Sequence, residues 1–113
     1  MKKIGYVPER GDVVWLDFDP QAGHEQSGRR PAFVVSPATY NGKTGLMLCC
    51  PITTQIKGYP FEVTVEGADV RGVILADQVK SLDWQVRKAE KKGKVAKAVL
   101  EEVIDKIRAI LEG

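Results

Sequence analysis

From Val95 to the end of the chain the apolar residues fall three and four apart: Val99, Leu100, Val103, Ile104, Ile107, Ile110 and Leu111. That spacing predicts one amphipathic helix ending at Gly113, whose apolar stripe has to bury itself against other elements. Before Val95 the apolar residues alternate or cluster in short runs between turn residues, so the partners of the helix are strands. A mainly β fold with a C-terminal helix follows. In 113 residues there is room for one compact domain, 1–113, and for no second core.

The strands can be placed. Arg10 to Asp19 (RGDVVWLDFD) alternates, with Val14, Leu16 and Phe18 on one face and Val13, Trp15 and Asp17 on the other, which predicts a half-buried strand. Pro31 to Pro37 (PAFVVSP) is a short apolar run bounded by prolines. Tyr40 to Gly45 (YNGKTG) holds an Asn-Gly pair and predicts a hairpin turn leading into an apolar strand, Leu46 to Ile52, that ends in Thr53 and Thr54. Phe61 to Val65 (FEVTV) alternates, and Glu66 to Asp69 turns. Gly72 to Val79 (GVILADQV) predicts a last strand with an apolar middle and a polar end. Short strands with closely spaced turns suggest a small barrel on which the helix packs.

No apolar run approaches the roughly 18 residues of a membrane span, and no cleavable leader is visible, so a cytoplasmic protein with no membrane association is expected. Cys49 and Cys50 are adjacent; strand neighbours point to opposite faces, which disfavours a disulfide and makes them buried small hydrophobes. One histidine and two such cysteines do not make a usual zinc set, and no metal or cofactor is expected. The net charge of +2 is mild. It is unevenly spread, and Arg87 to Lys97 (RKAEKKGKVAK) reads either as a solvated surface turn or as a patch that tracks phosphates.

Three polar clusters sit where strands end. The first is the loop GHEQSGRRP, residues 23–31, in which every side chain between Gly23 and Pro31 other than glycine is polar or charged. The second is Pro51-Ile52-Thr53-Thr54-Gln55, and the third is Ala76-Asp77-Gln78 with Lys80 and Ser81. If they converge on one rim, the inventory suits cleavage of RNA by its own 2′-hydroxyl. That reaction needs a base, fixed positive charge for the crowded phosphorane, and an acid for the leaving 5′-oxygen.

Glu25, His24 and Asp77 are the candidates for the base. The phosphate clamp falls to Arg29 or Arg30, since arginine is planar, bidentate and always charged. Arg30 is favoured because Pro31 confines its backbone to an extended shape. Thr53 either donates its hydroxyl to a phosphate oxygen or only forms a turn. His24 is otherwise an ordinary loop residue, and Asp77 a carboxylate satisfied by backbone donors.

The runs GDVVWLDFDPQAGHEQSGRRPAFVVSP, YNGKTG, PITTQIKGYPFEV and GVILADQVKSLDW resemble the MazF/PemK family of bacterial toxin endoribonucleases over almost the whole chain, most nearly its MazF branch. The resemblance implies a small SH3-like β-barrel of the MazF/PemK/CcdB-like kind and a homodimer. It also implies metal-independent, ribosome-independent cutting of single-stranded RNA to 2′,3′-cyclic phosphate and 5′-hydroxyl ends, and a cognate MazE-like antitoxin that covers the RNA site. An ACA-containing cleavage site is suggested.

In that family the arginine before the loop proline and the threonine after the third core strand form the usual catalytic pair, here Arg30 and Thr53. Glu25 matches the glutamate of the GxEQ pattern, and His24 matches the PemK branch where MazF relatives carry serine. The PemK branch also uses an arginine and an aspartate late in the Gly72–Val79 segment. Asp77 matches that aspartate, but Leu75 stands at the arginine position. RNA contacts are expected from Gln26, Arg29, Thr54, Gln55, Lys57, Asp77, Gln78 and Lys80. Two other functions fit less well: a gyrase-poisoning toxin of similar fold, disfavoured because the sequence ends Ile110-Leu111-Glu112-Gly113 rather than in Trp-Gly-Ile, and a non-catalytic RNA-binding barrel, which leaves Glu25 without a role.

Overall fold

The chain is seen in a computed structural model that describes residues 5–17 and 28–113. In order, its elements are β1 (Asp12–Asp17), β2 (Arg29–Val34), α1 (Ala38–Thr44), β3 (Leu46–Thr53), β4 (Glu62–Thr64), β5 (Val73–Leu75), a 3-10 turn (Ala76–Gln78), β6 (Lys80–Asp83), β7 (Glu90–Lys94) and α2 (Lys97–Glu112). All strand pairings are antiparallel, in the order β4-β5-β3-β2-β1-β7. β3 is long enough to serve two partners on one edge, β6 along its first half and β5 at its end.

Alternation sends side chains to both faces, and both faces are covered. Val13, Phe33, Cys50, Ile52, Val63 and Ile74 pack under α2 around its buried Val99 and Val103. Val14, Leu16, Ala32, Val34, Met47 and Cys49 form a second cluster, closed by Trp84 and flanked by Tyr6, Val7, Leu82 and Ala89. β1 is therefore buried on both faces, not half-buried as alternation alone predicted. Cys49 and Cys50 are buried, unpaired and on opposite faces, as their adjacency requires. The helical stripe is real, but its last two members, Ile110 and Leu111, are exposed.

Three expectations about local structure are corrected. The Tyr40–Gly45 segment is a helix, not a hairpin turn. Neither Asn41 nor Gly42 takes the positive φ that an Asn-Gly hairpin needs. The Asn41 side chain is instead buried, accepting from Ser36 Oγ (2.6 Å) and donating to the carbonyls of Pro8 (2.8 Å) and Ser36 (3.0 Å). The Asn41 carbonyl accepts from Trp84 Nε1 at 2.9 Å, so α1 anchors the cover of the second cluster. Glu9 takes the N–H of Ala38 at 2.6 Å and Gly45, at φ 77°, ends the helix.

The Gly72–Val79 run is a strand only over Val73–Leu75, and then tightens into the 3-10 turn that carries Asp77 and Gln78. The Arg87–Lys97 segment contains strand β7 rather than only a turn. Its lysines meet partners: Lys94 and Lys91 lie 3.1 and 3.9 Å from the buried Asp12 carboxylate, and Lys92 faces Asp69 and the Trp15 ring. Lysines along an edge strand also deter pairing with another sheet. Among the described residues no ladder joins β4 to β7, so the sheet is not closed into a barrel. Past the ends of both strands, one bond bridges the gap, from Ala96 N–H to the Glu66 carbonyl at 2.9 Å. No helix among the described residues is long and apolar enough to cross a membrane.

Candidate active site

Two prolines shape the ends of β2 and β3 that lead to the polar clusters. Pro31 lies in β2 and Pro51 in β3, and neither offers an N–H to a ladder. The β2–β3 pairing runs from Val34 opposite Cys49 to Ala32 opposite Pro51. Continued two residues, the same register sets Arg30 against Thr53, and alternation puts both on the face of Ala32, Val34 and Cys49. Arg30 is exposed there and Thr53 half-buried. By that extension the arginine and the threonine singled out from sequence fall at neighbouring strand ends, although the observed β2–β3 ladder itself stops at Ala32 and Pro51.

The Thr53 hydroxyl is already oriented. Its oxygen accepts the Gln55 N–H at 3.0 Å, which leaves its own proton to donate outward. Its backbone is fixed from the other side by Gly72. At φ 127°, a Cβ on Gly72 would stand 2.3 Å from the Thr53 carbonyl oxygen, a contact that only glycine permits.

Beside Thr53 opens a cleft of about 120 Å³ lined by Thr53, Gln55, Lys57, Tyr59, Glu62, Leu75 and Gln78. The loop that forms one wall is tied down twice. Glu62 accepts the N–H groups of Lys57 (3.0 Å) and Gly58 (2.9 Å), and Lys106 of α2 donates to the Pro60 carbonyl at 2.7 Å. Leu75 lines this cleft, so the position where the PemK branch carries arginine faces the same space and offers no charge here.

Arg29 and Arg30 differ in surroundings. Arg29 donates to Asp17 (3.1 Å), to the carbonyls of Trp15 (3.1 Å) and Lys88 (2.6 Å), and to Glu90 (3.2 Å). The Arg30 side chain has no hydrogen bond or ion pair among the described residues, so its guanidinium is available to a ligand. Asp77 and Gln78 sit on the 3-10 turn, Thr54 at the bend after β3, and Lys80 opposite Cys49 at the start of β6; all four are exposed. His24, Glu25 and Gln26 lie outside the described residues.

Burial pushes the Cys49 and Cys50 thiols up to about 12, with Lys80 offsetting part of the shift in each. Neither is a nucleophile at neutral pH. Among the described residues no group of three or more histidine, cysteine, aspartate and glutamate side chains is placed to hold a metal ion.

Sequence reasoning missed Tyr59 and Glu62 as cleft residues and Lys106 as a support of the cleft wall. The polar face of the FEVTV strand was a usable signal for Glu62. Lys106 had none, because its contact with Pro60 spans 46 positions of chain.

Comparison with known proteins agrees over nearly the full length. Residues 9–111 match the family of PemK-like, MazF-like toxins of type II toxin-antitoxin systems. The endoribonuclease toxin MazF of Escherichia coli K12 is 56% identical over 106 residues, covering 94% of this chain and 96% of that protein. Among solved structures, the MazE-MazF complex (Form-III) of Deinococcus radiodurans superposes with a TM-score of 0.87 at 54% identity, covering 95% of this chain and 98% of that one. MazF alone (Form-I) from the same organism gives 0.85 at 55% identity, covering 96% and 100%.

Proposed function

This chain belongs to the PemK-like, MazF-like toxins of type II toxin-antitoxin systems, and from that premise we propose a full account of what its site does. It is an endoribonuclease toxin of the MazF branch, acting on RNA and held by a MazE-like antitoxin. The observation that supports the catalytic reading is the β2–β3 register, which, extended two residues, sets Arg30 against Thr53, itself a wall of a polar cleft.

A single-stranded RNA lies across that end with its scissile phosphate at Arg30. The 2′-oxygen attacks phosphorus and gives its proton to a base; a P–O bond to the 2′-oxygen forms as the bond to the 5′-oxygen breaks, and an acid protonates the leaving oxygen. The ends are a 2′,3′-cyclic phosphate and a 5′-hydroxyl. Arg30 offers two fixed donors to the phosphorane oxygens, whose charge exceeds that of the ground state, so its stabilisation is largest where the barrier is. Thr53 adds a hydroxyl donor. Glu25, His24 and Asp77 remain the candidates for proton transfer, and no metal enters the scheme.

Gln55, Lys57 and Gln78 line the path of the strand, flanked by Thr54, Asp77, Lys80 and Gln26. An acidic, partly apolar antitoxin tail that folds on binding complements the same surface and blocks it directly. The toxin works as a homodimer in the cytoplasm. Its sheet, with ends bridged by the Ala96–Glu66 bond, is an SH3-like barrel left open at one seam.

The test is cleavage of defined single-stranded RNAs, some containing ACA, by purified protein in EDTA, with mapping of cut sites and ends. Arg30→Ala is expected to lower the rate about 10²- to 10³-fold while leaving the fold intact. Full activity in that variant overturns the site. A metal requirement overturns the mechanism alone.

A further inference from the structure

At Arg30 the backbone of β2 is paired on one side only, with β1, where Leu16 stands opposite Arg30 and Asp17 opposite Arg29; the β3 side carries no ladder there. Pro31 has no N–H, and the pairing with β3 begins only at Ala32. The neighbouring side chain compensates. Through its two terminal nitrogens Arg29 reaches β1 at Asp17 and Trp15, the turn before β7 at Lys88, and β7 at Glu90. Lys88 is the one residue other than glycine with positive φ (56°) among those described, and its carbonyl accepts the shortest of these bonds. Two carboxylates face a single guanidinium charge, and the side chain is two-thirds buried, at 32% exposure.

From this geometry we infer that Arg29 is a positioning residue for RNA cleavage. It fixes the strand end from which Arg30 reaches the scissile phosphate and does not itself touch RNA. The inference rests on the proposed role of Arg30. Because a guanidinium fork acts through direction as well as charge, a displacement of about 1 Å costs on the order of 10²-fold in rate. Lysine at position 29 keeps the charge but cannot reach three elements at once.

Four variants test this: Arg29→Ala, Arg29→Lys, Arg30→Lys and the double variant Arg29→Ala/Arg30→Lys, each measured for kcat, KM and melting temperature. Binding to a 2′-deoxy, non-cleavable strand is followed against salt. Arg29→Ala and Arg29→Lys should each lower kcat about 10- to 100-fold with KM changed less than about threefold. The salt slope should keep its wild-type value. In the Arg30→Lys background, where no planar fork remains to be aimed, Arg29→Ala should cost less than about threefold further.

A salt slope reduced by about 0.7 in Arg29→Ala together with rescue by lysine would mean a phosphate contact, and the inference would be wrong. An additive loss in the double variant would also overturn it, by making Arg29 merely structural. Full activity in Arg30→Lys fails differently, because it removes the role of Arg30 itself. Should Arg29→Ala not fold, Asp17→Asn and Glu90→Gln each remove one anchor of the same guanidinium. A several-fold fall in kcat at constant KM in both supports the inference, and wild-type kcat in both overturns it.

Discussion

The two faces of the sheet are closed by different means. On one, a sixteen-residue helix lays Val99 and Val103 over Val13, Phe33 and Ile74. On the other, the cover is assembled from short pieces: residues 6 and 7, Leu82 of β6, and Trp84 with Ala89 from the turn before β7, locked by the Asn41 and Ser36 hydrogen bonds. A helix covers a face continuously, whereas a patchwork can stop. Among the described residues it stops short of Arg30 and Thr53, and the candidate chemistry lies at that end. The contrast teaches that the helix side sets stability while the patchwork side trades cover for access.

Substitutions should separate these roles. Phe33→Ala empties the helix-side cluster and should cost about 3–5 kcal/mol in urea unfolding, with activity lost only as the fold is lost. Asn41→Ala should cost about 1–3 kcal/mol, because Ser36 and the Pro8 carbonyl lose buried partners. The contrast would break if Asn41→Ala left the melting temperature unchanged. Thr53→Val keeps the volume and removes the hydroxyl. The Gln55 N–H it frees is exposed to water, so stability should move by under about 0.5 kcal/mol while cleavage falls roughly 10- to 100-fold. Equal losses of activity and stability in that variant would deny that Thr53 acts on the substrate.

The same contrast explains what could be read in the sequence. The helix stripe and the alternation at Val13–Leu16 are local periodicities, and they placed α2 and β1 directly. The cover of the second face is not periodic. It depends on Asn41 meeting Pro8 and Trp84 across 33 and 43 positions, so the Asn-Gly pair was read by its usual local preference for a turn. β7 was obscured because EKKGK carries no apolar alternation; its pairing with β1 and the contacts of its lysines make it a strand. Arg30 and Thr53 were named from their chemistry and from the family resemblance, and the β2–β3 register that extends toward both is contained in no single segment. Arg30 was favoured over Arg29 from Pro31 and the family resemblance, but that Asp17 and Glu90 hold Arg29 was not legible, since those partners lie 12 and 61 positions away.

The smallest effect falls on the two cysteines, which sit side by side in β3 and report on opposite faces. Burial raises both thiols from an ordinary value of 9.0 to about 12. A thiol whose pKa is raised by folding contributes stability that is complete below pH 9 and is lost as pH climbs toward 12, because the unfolded chain ionises first. Unfolding free energy should therefore fall by on the order of 1–2 kcal/mol between pH 8 and 9.5. Cys49→Ala and Cys50→Ala should each flatten the fall by about half. A stability flat to pH 10 would contradict the burial of both. Labelling with a thiol reagent at pH 8 then ranks the faces. Cys50, under the helix, should react only at the rate of global unfolding, and Cys49, under the patchwork, should react faster through local opening. The reverse order would mean that the helix, not the assembled cover, is the first element to leave the sheet.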